Sequence, residues 1–335
     1  MNTTGFWRAT TLAAGALCLS GCEWPVQIKA GCTLIRSELF APSGSTQREL
    51  VGVVGAQEGA ANRPTILFEA PLRVNTDGAP NSYHPDDLRG TSKAINSICH
   101  AVTLRPAGTS KPITCAASIP LIRSMFDQLA VKDVWAPPAG YTVRWQSVIA
   151  ARENAAKQLV PCTFRSGPYA GYLGSLTALK QGVSQKGECE VLNQLDQRFV
   201  PGLVLAGNPN PMRDFGASRG DLVLALNPRT GVFQAAVIAD DGPEDNLGEG
   251  SVALNMALLG ITNQPTTYTE AIKLDTGRQE IIVATLPGTK MTGPFTAGAI
   301  EAKLEAWAGS NGFVDAAGLA RRMKECAPLL NSTRP

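Results

Sequence analysis

From residue 195 to residue 285 the chain is cut into short apolar runs by turn-forming residues. This punctuation restricts the fold more than any other feature. Residues 200–205, 221–226 and 233–238 are apolar runs of strand length. Asn227-Pro228-Arg229-Thr230-Gly231 separates the last two, so residues 222–238 read as a β-hairpin. Residues 280–285 form another strand, closed by Pro287-Gly288. Upstream, residues 65–70 read as a buried strand that residues 72–75 continue after Pro71. The turn signal Asn75-Thr76-Asp77-Gly78-Ala79-Pro80 follows.

Helical signals are fewer. Ser251 can cap a helix over residues 252–259, and Gly260 can stop it. Residues 118–131, 297–307 and 316–326 are further helix candidates. Residues 146–159 place Val148, Ile149, Ala151, Ala155 and Leu159 on one helical face, with Pro161 as the stop. Residues 163–190, rich in Gly and Ser, read as surface loop. The expected fold is mainly β (α+β): a barrel-like β core with peripheral helices and long loops. Analogy with small secreted glycosidases suggests the double-psi type. The expected division is a leader at 1–21, a tether and N-terminal segment at 22–63, and one domain at 64–335 with an insertion at about 105–190.

The first 22 residues carry one charge, Arg8, followed by an apolar stretch too short to span a membrane. The stretch ends Leu19-Ser20-Gly21-Cys22, an export-signal pattern with small residues before the cleavage point. It resembles the lipobox of bacterial lipoproteins, which implies lipidation at Cys22. Glu23 at the next position implies sorting to the outer membrane. Of eight cysteines, Cys18 falls in the leader and Cys22 is taken by lipid. Cys32, Cys99, Cys115, Cys162, Cys189 and Cys326 remain, an even number that suits disulfides in an exported protein. Proximity in the chain favours Cys99 with Cys115 and Cys162 with Cys189, leaving Cys32 for Cys326. No two Cys have zinc-ligand spacing and only two His occur, so no Cys/His metal site or other cofactor site is expected. A net charge of +2 gives no reason to expect a nucleic-acid partner.

Chemistry concentrates in Asp240-Asp241-Gly242-Pro243-Glu244-Asp245-Asn246-Leu247-Gly248-Glu249. Five of these ten residues are carboxylates, and no Lys or Arg lies between Arg229 and Lys273. The loop does not fit an EF-hand, which needs Gly at its sixth position and Glu at its twelfth; Asp245 and Ser251 stand there. A less regular Ca2+ site and a solvated acidic turn stay open. No Gly-x-Ser-x-Gly elbow and no Gly-rich dinucleotide turn occurs. Glycoside hydrolysis needs only two carboxyl groups in unlike environments, which crowding here can supply.

Three segments resemble the core of the family 75 glycoside hydrolases, chitosanases first known from fungi. They are Arg219-Gly220-Asp221-Leu222-Val223, Ala239-Asp240-Asp241-Gly242-Pro243 and Leu247-Gly248-Glu249-Gly250-Ser251-Val252-Ala253-Leu254. The stretch from Phe68 to Gly78 resembles the family's earlier strand and Asp-Gly turn, and Leu286-Pro287-Gly288-Thr289 its closing Phe-Pro-Gly-Ser. The likeness covers residues 65–90 and 195–290; Ala239 for Gly and Thr289 for Ser depart from the pattern. It implies an endo-acting, inverting chitosanase with Asp240 and Glu249 as the catalytic pair and no cofactor. Glu249 is taken as general acid and Asp240 as general base.

Asp241, Glu244, Asp245 and Asp77 are candidate contacts for a polycationic glycan, with Asp86 and Asp87 as further subsite candidates. Tyr83 is the candidate to stack on a sugar face, while Trp135 and Trp145 read as core. Asp221 reads as a structural hydrogen-bonder. His84 and His100 read as surface or structural. Two alternatives stand beside the chitosanase: an envelope enzyme cutting peptidoglycan glycan, and a non-catalytic glycan- or protein-binding lipoprotein.

Overall fold

The computed structural model describes residues 32–42, 47–55, 64–181, 189–190, 193–243, 246–277 and 280–332. The leader, Cys22, Glu244 and Asp245 lie outside the described residues. The protein is mixed α/β, with a nine-stranded sheet and about 26% helix. Helix is thus more prominent than a mainly β expectation allows.

Thirteen strands occur among the described residues. They are β1 Thr33–Phe40, β2 Glu49–Gly55, β3 Thr65–Ala70, β4 Arg73–Asn75, β5 Thr103–Pro106, β6 Tyr141–Arg144, β7 Ala151–Glu153, β8 Leu159–Pro161, β9 Gly202–Leu205, β10 Leu222–Leu226, β11 Phe233–Asp241, β12 Glu249–Ser251 and β13 Ile281–Leu286. The helices are α1 Ile98–Ala101, α2 Cys115–Lys132, α3 Pro211–Asp214, α4 Val252–Leu259, α5 Tyr268–Ala271, α6 Ala297–Ser310, α7 Ala316–Cys326 and α8 Pro328–Ser332.

The large sheet runs β1-β2-β3-β13-β10-β11-β9-β12-β4. The hairpin expected over residues 222–238 is β10 against β11, with Leu222 opposite Val237 and Leu226 opposite Phe233. Every residue of β10 is buried, because the strand is covered on both faces. Leu222, Leu224 and Leu226 pack with Leu304, Leu319 and Met323 from α6 and α7. Val223 and Ala225 face the other way, toward Phe68, Met212, Leu254 and Leu258.

β4 continues from β3 in sequence, but not in the sheet. Only Pro71 and Leu72 separate the two strands, and six strand intervals lie between them in the sheet. Laid flat, those intervals would span about 29 Å, while the connection from Ala70 to Arg73 reaches at most about 11 Å. The sheet must therefore curl until its β4 edge returns to the end of β3. No closed barrel forms among the described residues.

Several expectations need correction. Residues 22–63 are not mainly tether: β1 and β2 lie inside this range and extend the sheet from β3. Val51, Val53 and Val54 are buried, which a solvated tether would not be. Residues 146–159 hold no helix but the hairpin β7–β8. There the Asn154 Oδ1 accepts from the N–H groups of Ala156 (3.0 Å) and Gln158 (2.9 Å). That local bonding offers the backbone an alternative to helix. Residues 163–181 are not merely surface, since Leu173, Ser175 and Thr177 are buried.

Other readings match. Ser251 accepts from the Leu254 N–H and caps α4, and Gly260 ends it at φ 68°. Asp221 is fully buried and its Oδ2 accepts from Ser218 N and Oγ. Trp135 and Trp145 sit in a core with Phe126 and Met125. The disulfides pair Cys32 with Cys326, Cys99 with Cys115 and Cys162 with Cys189. The first joins the start of β1 to the end of α7.

Candidate active site

β11 ends in the two acids Asp240 and Asp241. It runs parallel to β9 and carries a bulge: Ile238 pairs with Leu203, and the next pair is Asp240 with Val204. The bulge skips Ala239, so Asp240 and not Ala239 stands opposite Val204. On the other side of β9, Glu249 of β12 also pairs with Val204. Two strand spacings place the Asp240 and Glu249 Cα atoms about 9–10 Å apart. Paired positions share a face, so both carboxylates project to the same side.

Glu249 is placed by its glycines. Gly248 has φ 99°, and a Cβ there would meet the Pro71 carbonyl oxygen at 2.6 Å. A Cβ on Gly250 would meet the Asn255 Oδ1 at 2.2 Å. The chain can run this close to β4 and α4 only with glycine at both positions. Gln47 holds the loop from outside, accepting from Leu247 N and donating to Leu247 O, each at 2.7 Å. Asn246 Nδ2 donates to Glu249 Oε1 at 3.2 Å.

The two carboxyl groups sit in unlike surroundings. Asp240 is 8% exposed. Its Oδ1 accepts from Ala178 N at 2.8 Å and from its neighbour Asp241 N at 2.9 Å. Burial, reinforced by the negative charge of Asp77, raises its pKa to about 7. Glu249 is partly exposed at the head of β12.

Both line a cleft of about 1140 Å³, together with Asp77, Asp241, Asn75, His100, Tyr268, Asp275, Arg73 and Arg144. The expected residues Asp240, Glu249, Asp241 and Asp77 are thus brought together, but two of them do not act as free substrate contacts. Asp241 is held by Arg213 at 2.6 Å and also by Arg219. Burial works against its ionisation, yet the two guanidinium groups outweigh it and hold the carboxyl below the usual range. Asp241 is therefore neutralised from elsewhere in the chain. Asp77 is raised to about 6 by burial, against the lowering effect of the Tyr83 hydroxyl and with help from the charge of Glu249.

Tyr83 is not a sugar platform. It is 1% exposed, and its hydroxyl donates to Asp77 Oδ1 at 2.8 Å. Asp86 lies on the surface beside Lys93, Arg123 and His84. Asp87 is absorbed by structure, accepting from the N–H groups of Thr91, Ser92, Lys93 and Ala94.

Sequence reading missed other parts of the site. Asn75 read as a strand end and turn former, yet its side chain accepts from Asp77 N at 2.8 Å and reaches Asp240 Oδ2 at 3.5 Å. His100 lines the cleft edge-on to Tyr268, its Nδ1 2.6 Å from Asn96 Oδ1. Burial lowers its pKa and favours the neutral imidazole. Ala178 contributes a backbone N–H, for which sequence carries no signal. Among the described residues no group of three His, Cys, Asp or Glu side chains is arranged to hold a metal ion.

No family model matches this chain, and no curated protein matches it in sequence.

Proposed function

We propose that the protein is an inverting glycoside hydrolase acting within an amino-sugar polymer, with Asp240 as general acid and Glu249 as general base. The observation that carries this reading is the placement of both carboxylates opposite Val204 by the β11 bulge. A Cα separation of about 9–10 Å is compatible with the carboxyl gap of about 6.5–9.5 Å that admits a water in inverting enzymes. The roles are reversed from the sequence expectation. A carboxyl raised to about 7 by burial holds its proton near neutrality, which suits an acid.

The two backbone N–H groups occupy Asp240 Oδ1, so Oδ2 carries the proton. In the proposed step Oδ2–H protonates the glycosidic oxygen as its bond to the anomeric carbon breaks. Glu249 accepts a proton from the water that attacks that carbon from the opposite face. The products are an inverted hemiacetal and a free hydroxyl. Asp240 is left ionised and Glu249 protonated, and solvent exchange resets both.

The resemblance to family 75 favours chitosan, cut at β-1,4 glucosamine linkages. A specific observation favours the second reading, a peptidoglycan glycan. Asp241 is neutralised by Arg213 and Arg219, and Arg73 and Arg144 line the same cleft. The cleft is therefore less anionic than the sequence alone implies, and a polycation gains less from it. The curl that returns β4 to β3 supports a barrel-like core, the double-psi form being the finer version of that reading.

Export and a lipid anchor at Cys22, with residence in the outer membrane, belong to the same proposal. Three disulfides fit an oxidising compartment. Among the described residues no helix is long and apolar enough to cross a membrane.

Purified protein assayed on chitosan, chitin and sacculi tests the reading, with Asp240→Asn and Glu249→Gln alongside. Each variant is expected to lose about 10²–10⁴-fold in kcat while keeping its circular dichroism spectrum. Cleavage of sacculi alone selects the second substrate. Wild type inert on all three, or variants as active as wild type, overturns the glycosidase and leaves a binding lipoprotein.

A further inference from the structure

Asp77 has more structure around it than a substrate contact requires. It lies two residues beyond β4, in the same cleft as Asp240 and Glu249. Its Oδ1 accepts from the Tyr83 hydroxyl at 2.8 Å and the Ser175 hydroxyl at 3.3 Å. Tyr83 is fixed in turn by Asn96 Nδ2 at 2.9 Å. Asn75 links the two acids, accepting from Asp77 N and extending Nδ2 toward Asp240 Oδ2.

We propose that Asp77 is a positioning residue of this site: its carboxylate, fixed by Tyr83 and Ser175 in the cleft that Asp240 also lines, keeps the transferable proton on Asp240. The inference rests on the glycosidase reading and deepens it. Asp77, Asp240 and Glu249 cannot all carry charge in one cleft without strong repulsion. Asp240 is the drier of the neighbouring pair Asp77 and Asp240; its burial outweighs the Ala178 and Asp241 N–H groups and the Asn75 amide that favour its anion, while two hydroxyls favour the anion of Asp77. The proton therefore resides on Asp240 in preference to Asp77. The shifts agree, at about 6 for Asp77 and about 7 for Asp240.

The other charged or titratable groups around Asp240 do not replace this effect. Glu249 faces it from β12 across Val204. Asp241, next to it on β11, is compensated by Arg213 and Arg219. Arg219, which approaches from before β10, senses the charge of Asp240 but is bound to Asp241. Tyr83 stands behind Asp77 as a neutral phenol. From the segment after β8 the Ala178 N–H reaches it.

The test is a carbon-13 NMR titration of the side-chain carboxyl resonances in wild type and Asp77→Asn, with kcat and KM measured against pH. Asparagine keeps an oxygen for Tyr83 and Ser175 and removes only the charge. Asp240 is expected to titrate about one pH unit lower in the variant. The alkaline limb of the kcat profile should move with it, while KM changes little. An unchanged Asp240 midpoint overturns the proposal, because a merely structural Asp77 would not move it. If the variant does not fold, wild type decides: Asp240 should titrate in two coupled steps, and a single simple step overturns the proposal. Failure of the glycosidase reading shows separately, as wild type that cleaves no polymer whatever its titration curves.

Discussion

Asp240 and Glu249 are nine residues apart in sequence and share a single partner, Val204, to which each pairs from opposite sides of β9. The bulge at Ala239 creates this relationship. In an unbulged register Asp240 would stand opposite Leu205, one step beyond Glu249 and facing the other side of the sheet.

Asp240 links stability to pH with a definite sign. Its folded pKa, about 7, is above the ordinary 3.8, so the folded state binds more protons between these values. Stability falls as pH rises through that window, and at pH 8 the fold holds a buried charge. Asp240→Asn is expected to raise Tm by about 2–4 °C or more at pH 8 and to leave it nearly unchanged at pH 4. Scanning calorimetry at the two pH values checks this. An equal effect at both would show that Asp240 titrates normally.

Asp87 should act with the opposite sign. Burial opposes its ionisation, but the N–H groups of Lys93, Ser92, Ala94 and Thr91 overcome it and hold the carboxyl well below the usual range. Its contribution is present above the unfolded pKa near 3.8 and is lost as pH falls below that value. Asp87→Ala is expected to cost about 2–4 kcal/mol at pH 7 in urea unfolding, and less at pH 2.

Gly248→Ala should damage the site more than its size suggests. The residue has positive φ, and its new methyl group would meet the Pro71 carbonyl oxygen. The strained backbone must shift, and Glu249 follows directly. A loss of about 1–3 kcal/mol in stability is expected with a larger proportional loss of kcat. Normal kcat in a folded variant would show that Glu249 tolerates displacement.

The disulfide Cys32–Cys326 spans 294 residues and ties the edge strand β1 to α7. Replacing both cysteines by serine is expected to cost about 5–6 kcal/mol in the chain-entropy view. Hydrogen exchange should show β1 opening before β10 and β11, since β1 is an edge strand and they are central. Uniform protection across all three would contradict this.

The segments with strong local signals were legible. The β10–β11 hairpin, the Ser251 cap with Gly260 and the helices α6 and α7 each depend on residues close in sequence. So does the crowding of acids around Asp240. The misses have equally local causes. The apolar spacing of residues 146–159 suited a helix, but the Asn154 side chain captured the backbone and turned it into a hairpin. β2 was hidden because the Gly and Ala that follow it resemble a linker, and its valines are buried in the sheet where it pairs with β3.

The sequence by itself determined where strands and turns fall, which cysteines were available to pair, and that two acids at the end of β11 and the start of β12 would be near each other. Tertiary structure alone decided what those acids are. Curling of the sheet brought β4 and Asp77 to them, the Ala239 bulge set their register, and distant Arg213 and Arg219 neutralised Asp241. The physical reason is range. Turn and cap preferences act over a few residues, whereas desolvation and charge coupling depend on every group within several ångströms, whatever its place in the chain.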